Sequence, residues 1–222
     1  MVHRRRSARD RPLLVTAIFG RYEPLRSLPA GVRGLAITDD DGAVDGWRLA
    51  IHRDPSLTPR AANRYAKARI HKFTTADVTV YVDGQFLIRE DPGSWALDVL
   101  GDGDFAAFRH PARDCVYLEG ETCIEKGRGD PDAIAAQLER YRAEGLPDHA
   151  GLFGGGLLVR RNTEGMRALG DAWWNEVCAG SERDQISLGY LVWKHRIDVR
   201  VIPGSLYKPP FAKFVGHPRK KR

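Results

Sequence analysis

The sequence has few cysteines, and they do not have the paired short spacing of a metal cluster. Only three occur in 222 residues, at positions 115, 123 and 178. An odd number without such spacing argues against both a disulfide framework and a zinc site. Reduced thiols are typical of cytosolic proteins, and a chain of this length can bury a core without covalent staples. We therefore expect a cytoplasmic protein.

A long apolar run is also missing. The most apolar stretch near the start, residues 13–20, follows a basic segment and meets Arg21 at once. It is too short for the core of a signal peptide and far too short to cross a membrane. This length and composition instead predict a buried strand, and we expect no membrane span.

Two common phosphate-binding fingerprints are absent after this first strand. The glycines of G-x-G-x-x-G do not follow it, which argues against a dinucleotide-binding turn. No G-K-[S/T] follows either, which argues against a P-loop. A nucleotide, if bound, must be held by other groups.

Negative charge is scarce at both ends of the chain. The net charge is +6, yet residues 1–12 carry +4 and residues 208–222 carry +6, which leaves the body at −4. Such ends can bind phosphate backbones or anionic surfaces, or simply remain solvated. We predict a basic N-terminal tail at 1–12, one domain at 13–207 and a basic C-terminal tail at 208–222.

Candidate strands and helices alternate along the body. Strands are predicted at 13–19, 33–38, 47–51, 78–82, 104–108, 152–160 and 198–202. Helices are predicted at 58–73, 94–100, 130–145, 164–179 and 184–195. This alternation indicates a single α/β domain with a mostly parallel central sheet flanked by helices.

In such sheets, ligands bind outside the carboxyl ends of the strands, so the residues that follow each strand are candidates. Thr16 and Ala17 end the first strand, and Gly20 and Tyr22 come just after it. Gly20 would let a ligand approach the backbone closely. Asp39 follows the second strand and could accept a hydrogen bond from a ribose hydroxyl, or could simply sit in a turn. We predict that Thr16, Ala17 and Asp39 line the nucleoside, and that Gly20 and Tyr22 also bind the nucleotide-sugar donor.

The stretch TVYVDGQFLI, residues 79–88, has two interpretations. Asp-Gly is a favoured pair for a tight hairpin turn, in which 85–88 would pair back on 79–82. Alternatively, Asp83 ends a buried strand and presents a carboxylate to a cleft, with Gly84 allowing close approach. Hard cations such as Mg²⁺ and Mn²⁺ take oxygen ligands of this kind and share them with substrate phosphates.

Basic and acidic side chains elsewhere could complete such a site. Lys67 and Arg69 lie on a basic helix and could contact diphosphate oxygens, although such runs are often solvated faces. Asp184 opens a helix, where it could cap the helix or project into the cleft.

Glycines and histidines give further candidates. Gly154, Gly155 and Gly156 would leave room for a substrate, or form a glycine-rich bulge. His110 follows a strand and His217 lies in the basic C-terminal segment; a lone histidine can equally be structural or solvated.

Several motifs together resemble the TOD1/MUCI70-type glycosyltransferase-like domain family. The resemblance runs in order from about residue 13 to 205. The motifs are T-A-I-F-G-x-Y (16–22), Y-V-D-G (81–84), H-P-x-R-D-C-V-Y-x-E (110–119), Q-x-x-R-Y-x-x-E-G-L-P (137–147), W-W-x-E-V (173–177) and R-D-Q-I-S (183–187).

This resemblance implies a GT-A-like, Rossmann-like fold and transfer of a sugar from a nucleotide-diphosphate donor, here a UDP-sugar. In GT-A enzymes an Asp-x-Asp motif holds Mn²⁺ or Mg²⁺ on the diphosphate, and here Asp83 and Gln85 occupy its two ends. By the same resemblance His217 completes the metal site. Asp184 is either a base or a clamp for sugar hydroxyls, with Gln185 and His110 beside the substrate. The strand-end interpretation of Asp83 is therefore favoured.

The expected function is metal-assisted glycosyl transfer, with Asp83 and Asp184 as catalytic residues. The acceptor would be a saccharide or another hydroxyl compound, including a polyanion such as modified DNA or an acidic glycan. The alternative is a non-catalytic α/β module that binds nucleic acid or another polyanion through its basic tails. That alternative predicts steep salt dependence that disappears when the tails are trimmed.

Overall fold

A seven-stranded sheet forms the centre of the protein in the computed structural model, which describes residues 11–217. The strands in chain order are β1 (Leu13–Ile18), β2 (Gly34–Thr38), β3 (Trp47–Ile51), β4 (Val78–Val82), β5 (Phe86–Ile88), β6 (Phe105–Arg109), β7 (Phe153–Arg161), β8 (Val199–Val201) and β9 (Ala212–Phe214). The central sheet has the order β3-β2-β1-β4-β7-β6-β8, and β5 pairs with β9 in a separate ribbon. Only β7 runs antiparallel to its neighbours in the central sheet, so the predicted mostly parallel sheet is confirmed.

Six α-helices flank the sheet within residues 11–217. They are α1 (Pro59–Ala68), α2 (Gly93–Leu100), α3 (Val116–Glu125), α4 (Pro131–Ala143), α5 (Glu164–Ala179) and α6 (Asp184–Lys194). Every predicted helix is present, and the predicted bounds of 164–179 match α5. The sequence analysis missed α3 and the two short strands of the β5–β9 ribbon.

Both faces of the sheet are covered, which explains why its inner strands are apolar throughout. In β4, Val78, Val80 and Val82 pack into one core with α2 and the β5–β9 ribbon. Tyr81 points the other way, into a larger core formed with the remaining helices. Because successive side chains alternate between faces, a strand buried on both sides carries no polar alternation.

Local capping fixes where α1 begins. The hydroxyl of Thr58 accepts a hydrogen bond from Ala61 N–H at 3.1 Å, and Pro59 occupies the first turn. A proline there loses no helical hydrogen bond and already has the required φ angle. The helix therefore starts at the edge of the sheet where β1 ends, which brings its basic face towards that edge.

The domain boundary predicted at residue 207 falls inside folded structure. Residues 212–214 form β9, in which Phe214 is the register partner of Phe86 in β5. Residues 1–10 and 218–222 lie outside the described residues. Most basic residues behind the polyanion-binding hypothesis therefore lie there too.

The cysteines and the helix lengths bear on the predictions that the protein has no disulfide framework and no membrane span. The three cysteines are free thiols, of which Cys115 and Cys123 are buried. Within residues 11–217, none of the helices is long and apolar enough to cross a membrane.

Candidate active site

A cavity of about 800 Å³ opens where the carboxyl ends of β1, β4 and β6 meet the beginning of β7. The first residues of α1 and α6 complete its wall. This is the edge of an α/β sheet at which ligands usually bind. A volume of this size lies in the range of small-molecule sites.

Twelve of the residues proposed from the sequence line this cavity. They are Ala17, Tyr22, Lys67, Asp83, Gly84, Gln85, His110, Gly155, Gly156, Asp184, Gln185 and His217. Residues up to 200 positions apart in the chain are thus brought to one place.

Five proposed residues are not part of the cavity wall, because each is engaged elsewhere. Thr16 is buried and donates its hydroxyl hydrogen to Val82 O at 2.8 Å. The Asp39 carboxylate accepts from Gly20 N–H, at 2.9 Å from its nearer oxygen, which joins the ends of β1 and β2.

The other two proposals need correction for similar reasons. Arg69 points away from the cavity and forms an ion pair with Asp171 at 2.6 Å. At Gly154 an added Cβ would lie 2.7 Å from Leu206 Cδ2, so this glycine allows close packing and leaves no open space.

Asp83 stands at the end of β4, and its side chain is held from two sides. Tyr81 donates its hydroxyl hydrogen to Asp83 Oδ1 at 2.8 Å, and Lys67 Nζ lies 3.2 Å from the same oxygen. Burial, followed by the charge of Asp83, raises the pKa of Tyr81 well above its usual value, so Tyr81 stays a neutral donor. The second oxygen, Oδ2, faces the cavity above Gly156.

The hairpin interpretation of the Asp-Gly pair is wrong, although a turn is present. Phe86 N–H donates to Asp83 O at 3.2 Å, which closes a tight turn. The chain that follows does not return along β4, because β5 pairs with β9 instead. The neighbour of Asp83 across the sheet is Gly156, whose carbonyl accepts from Asp83 N–H at 2.9 Å.

Asp184 is another carboxylate of the cavity wall, and it is paired with two cations. Its Oδ2 accepts from Lys67 Nζ at 2.8 Å, and its Oδ1 lies 3.4 Å from Arg64 Nε. The indole N–H of Trp173 donates to the Asp184 carbonyl at 2.9 Å and fixes the start of α6. Burial alone would raise the pKa of Asp184, but the charges of Arg64 and Lys67 outweigh it and lower the pKa well below the usual range.

These ion pairs bear on the two roles predicted for Asp184, a base or a clamp. A carboxylate held in its charged form by two cations is a poor proton acceptor near neutral pH. It remains a good hydrogen-bond acceptor. The geometry therefore favours a clamp for hydroxyl groups over a general base.

Two glycines of β7 form the floor between the carboxylates. A Cβ added to Gly155 would lie 3.4 Å from Asp184 Oδ2 and 3.6 Å from Lys67 Nζ. One added to Gly156 would lie 3.2 Å from Asp83 Oδ2. Any larger side chain would fill the space in front of these charged groups, so the glycines keep it open.

The donor atoms near Asp83 fit a hard divalent cation that shares its coordination with a ligand. Asp83 Oδ2 faces the space above Gly156, and Gln85 Nε2 donates to that oxygen at 3.5 Å, so Gln85 must turn its amide to offer its own oxygen to a cation. Among residues 11–217, no three His, Cys, Asp or Glu side chains converge closely enough to enclose a metal. Mg²⁺ and Mn²⁺ sites commonly have few carboxylates because phosphate oxygens complete them.

His217 reaches the cavity through the C-terminal segment. Val215 N–H donates to Gln85 O at 2.9 Å, which ties this segment to the turn after Asp83. The ring nitrogen Nδ1 of His217 lies 2.5 Å from Glu23 Oε1. Burial raises the pKa of Glu23 despite this contact.

His110 ends β6 at another part of the wall. Its Nδ1 accepts from Arg113 N–H at 3.1 Å, and burial lowers the pKa of His110. The nearby Glu119 carboxylate is almost fully buried, and its Oε2 lies 2.6 Å from Arg113 Nε. His110 is thus held as a neutral ring in a basic corner.

The sequence analysis missed several polar residues of this wall. Arg64 and Glu23 were not named as site residues, and neither was Arg183 with its neighbours Arg113 and Glu119. A usable signal existed for Arg64, because it lies three residues before Lys67 and thus on the same helix face. Nothing in the local pattern marks Glu23, which lies in the loop after β1.

Comparison with known proteins gives one family. The model described as TOD1/MUCI70, glycosyltransferase-like domain, matches residues 32–207. A probable hexosyltransferase MUCI70 from Arabidopsis thaliana is 28% identical over 177 residues, which is 74% of this chain and 30% of that protein. The chain thus spans about a third of the length of this relative.

A solved structure supports the fold independently. The apo structure of WbbM, a bifunctional glycosyltransferase, aligns with 89% of this chain and 40% of its own chain, with a TM-score of 0.51. The sequences are 14% identical, so this likeness concerns the fold alone.

Proposed function

Because the chain belongs to the TOD1/MUCI70 glycosyltransferase-like domain family, we propose that it is a GT-A-type glycosyltransferase. It transfers a hexose from a UDP-sugar to a hydroxyl group of an acceptor, with help from Mn²⁺ or Mg²⁺. One observation carries this proposal. The carboxylates of Asp83 and Asp184 flank the Lys67 ammonium above the open glycine floor, in a cavity at the strand ends.

Charge balance at this point supports a cation bound together with the donor. Two cations, Lys67 and Arg64, face two carboxylates, Asp83 and Asp184, so the cluster is formally neutral. A diphosphate brings additional negative charge that this cluster alone does not offset. Asp83 Oδ2 would hold the metal on the diphosphate with His217 beside it, and Gln85 would join them by turning its amide oxygen, in place of Nε2, towards Asp83.

When bound, the metal supplies positive charge to the departing diphosphate, which is an important contribution in reactions of this kind. The chain's own residues do the rest. Lys67 is fixed between two carboxylates and therefore presents its charge without a cost of reorganisation. Asp184 accepts hydrogen bonds from sugar hydroxyls and orients the transferred sugar above Gly155.

The nucleoside is expected at the β1 side of Asp83. Asn63 donates its amide hydrogen to Ala17 O at 2.7 Å, which joins α1 to the end of β1 beside the cavity. The ring of Tyr22 is 60% exposed at the same side. An exposed aromatic ring at a cavity mouth can stack on a base.

The proposal is tested by incubating the protein with a panel of nucleotide sugars and MnCl₂ and measuring which donor is consumed. Consumption of one UDP-sugar, lost on addition of EDTA and in Asp83→Asn, is the expected result. Failure of every nucleotide sugar in the panel to be hydrolysed or transferred would contradict the proposal. Asp98→Asn is the matched control, because Asp98 is exposed on α2 and does not line the cavity.

A further inference from the structure

A group of basic side chains lines the cavity on the β6 side, and the reaction proposed above does not use it. We call His110, Arg113, Arg128 and Arg183 the arginine arm. His110 follows β6, Arg128 lies between α3 and α4, and Arg183 precedes α6. Arg113 lies in the same loop as His110, so three separate segments contribute to one part of the wall.

The arginine arm carries positive charge that its own acid does not offset. The buried Glu119 carboxylate forms an ion pair with Arg113, whose Nε and Nη2 lie 2.6 and 2.5 Å from Glu119 Oε2. Arg183 Nη2 is 3.7 Å from Glu119 Oε1, which exceeds hydrogen-bond distance. Arg113 and Arg183 thus share one carboxylate, and Arg128 adds a third positive charge to the arm.

Arg183 also has an unfilled donor. Its Nε is buried and has no hydrogen-bond partner in the part of the chain that the structure describes. Because this atom is sealed from solvent, a ligand in the cavity meets only the exposed fifth of the Arg183 side chain. The planar guanidinium matches the paired oxygens of a carboxylate or a phosphate.

The diphosphate of the donor does not account for this arm. In the sheet order, β7 separates β4, which Asp83 follows, from β6, which His110 follows. Two strand spacings amount to about 10 Å. A diphosphate held beside Asp83 and Lys67 therefore leaves the arm to a group farther along the cavity.

We propose that the arginine arm binds the anionic group of an acidic sugar, either a uronate carboxylate or a sugar phosphate. The inference rests on the proposed function, because that function places sugars in this cavity. The acidic sugar is either the acceptor or the sugar that is transferred. In both cases Arg183 and Arg128 select for charge, and the Asp83–Lys67–Asp184 cluster carries the chemistry.

Isothermal titration calorimetry of the full chain tests the arm directly. The probes are methyl glucuronide and glucose 6-phosphate, with methyl glucoside as the neutral comparison. We expect at least one acidic sugar to bind about tenfold more tightly than the neutral one, as one charge-assisted hydrogen bond provides. Arg183→Gln and Arg128→Gln should each reduce this preference, and Arg183→Lys should restore part of it.

Arg48→Gln is the matched control. Arg48 is exposed on β3 and does not line the cavity. Its replacement by glutamine therefore removes the same charge from the molecule without changing the cavity wall. It should keep the full preference for the acidic sugar. Arg128 is exposed, so its variant remains informative if Arg183→Gln does not fold.

A second titration distinguishes the two sources of the acidic group. Tighter binding of UDP-glucuronate than of UDP-glucose, lost in Arg183→Gln, assigns the arm to the transferred sugar; a preference seen only among free sugars assigns it to the acceptor. Equal binding of acidic and neutral sugars in both titrations would overturn the inference, as would a preference that survives in both arginine variants. Titration with UDP tests the proposed function separately: UDP binding without any acidic preference rejects the arm alone.

Discussion

The Lys67 ammonium lies 2.8 Å from the Asp184 carboxylate, and both side chains are almost fully buried in the cavity wall. Lys67 comes from α1 and Asp184 from the start of α6, so this ion pair joins segments that are 117 residues apart. Asp83, at the end of β4, lies 3.2 Å from the same ammonium. The Lys67 ammonium thus links two helices and the end of one strand.

Replacing Lys67 by methionine should destabilise the fold strongly. Methionine keeps much of the length of the side chain but leaves Asp184 buried with only Arg64 as a close cation. Removing one partner of a buried ion pair typically costs about 3–5 kcal/mol of unfolding free energy. Urea unfolding measures this loss of unfolding free energy. Lys72→Met, at an exposed position, should stay within about 0.5 kcal/mol of wild type, and equal effects of both changes would contradict the account.

The same ion pair predicts how stability depends on acid. The pKa of Asp184 is lowered in the folded state, so its contribution is fully present above the unfolded pKa of about 3.9. It is lost as the pH falls from there towards the lower folded pKa. Unfolding midpoints measured from pH 6 to pH 2 should therefore fall more steeply in wild type than in Asp184→Asn. Parallel curves for the two proteins would argue against a charged, paired Asp184.

Asp83→Asn should abolish metal-dependent donor binding while the fold stays intact. The amide oxygen of asparagine can still accept from Tyr81, so the local hydrogen bond is kept. The charge that holds a divalent cation is lost. UDP affinity in the presence of MnCl₂ should drop to the level found with EDTA, and the unfolding free energy should change by no more than about 1 kcal/mol. Unchanged Mn²⁺-dependent affinity would remove Asp83 from the site.

Gly156→Ala tests whether the open floor is needed. The new Cβ would stand 3.2 Å from Asp83 Oδ2 and occupy the space assigned to the cation and diphosphate. We expect transfer activity to fall at least about tenfold, since overpacking by one methyl group costs roughly 1–3 kcal/mol when the ligand is present. Gly165→Ala is the control, because nothing lies within 4 Å of its added Cβ. Full activity of Gly156→Ala would show that the floor does not limit binding.

Much of the fold could be predicted because its elements carry strong local signals. The apolar run of β4 and the helix α5 both lie where the pattern indicated. The ribbon could not be predicted in this way. Its strands have three residues each, and β5 pairs with a segment more than 120 positions away, so no short-range pattern records the pairing.

The site was predicted best where a side chain ends a buried strand or begins a helix, as for Asp83 and Asp184. It was predicted poorly in α1, where the face of the helix determines which side chains reach the cavity. Consecutive helical residues are about 100° apart, so Arg69 projects almost opposite to Lys67, whereas Arg64 shares its face. Thr16 and Asp39 do not line the cavity, because each has a hydrogen-bond partner within the fold that the sequence does not show.

Calorimetric titration of UDP into the full chain, with MnCl₂ and with EDTA, tests the central claim most directly. The account predicts saturable one-to-one binding that is at least about tenfold tighter with Mn²⁺, and that Asp83→Asn loses this difference while Asp98→Asn keeps it. Absence of UDP binding under both conditions, or identical binding in wild type and Asp83→Asn, would contradict the claim that the cavity beside Asp83 holds a nucleotide diphosphate.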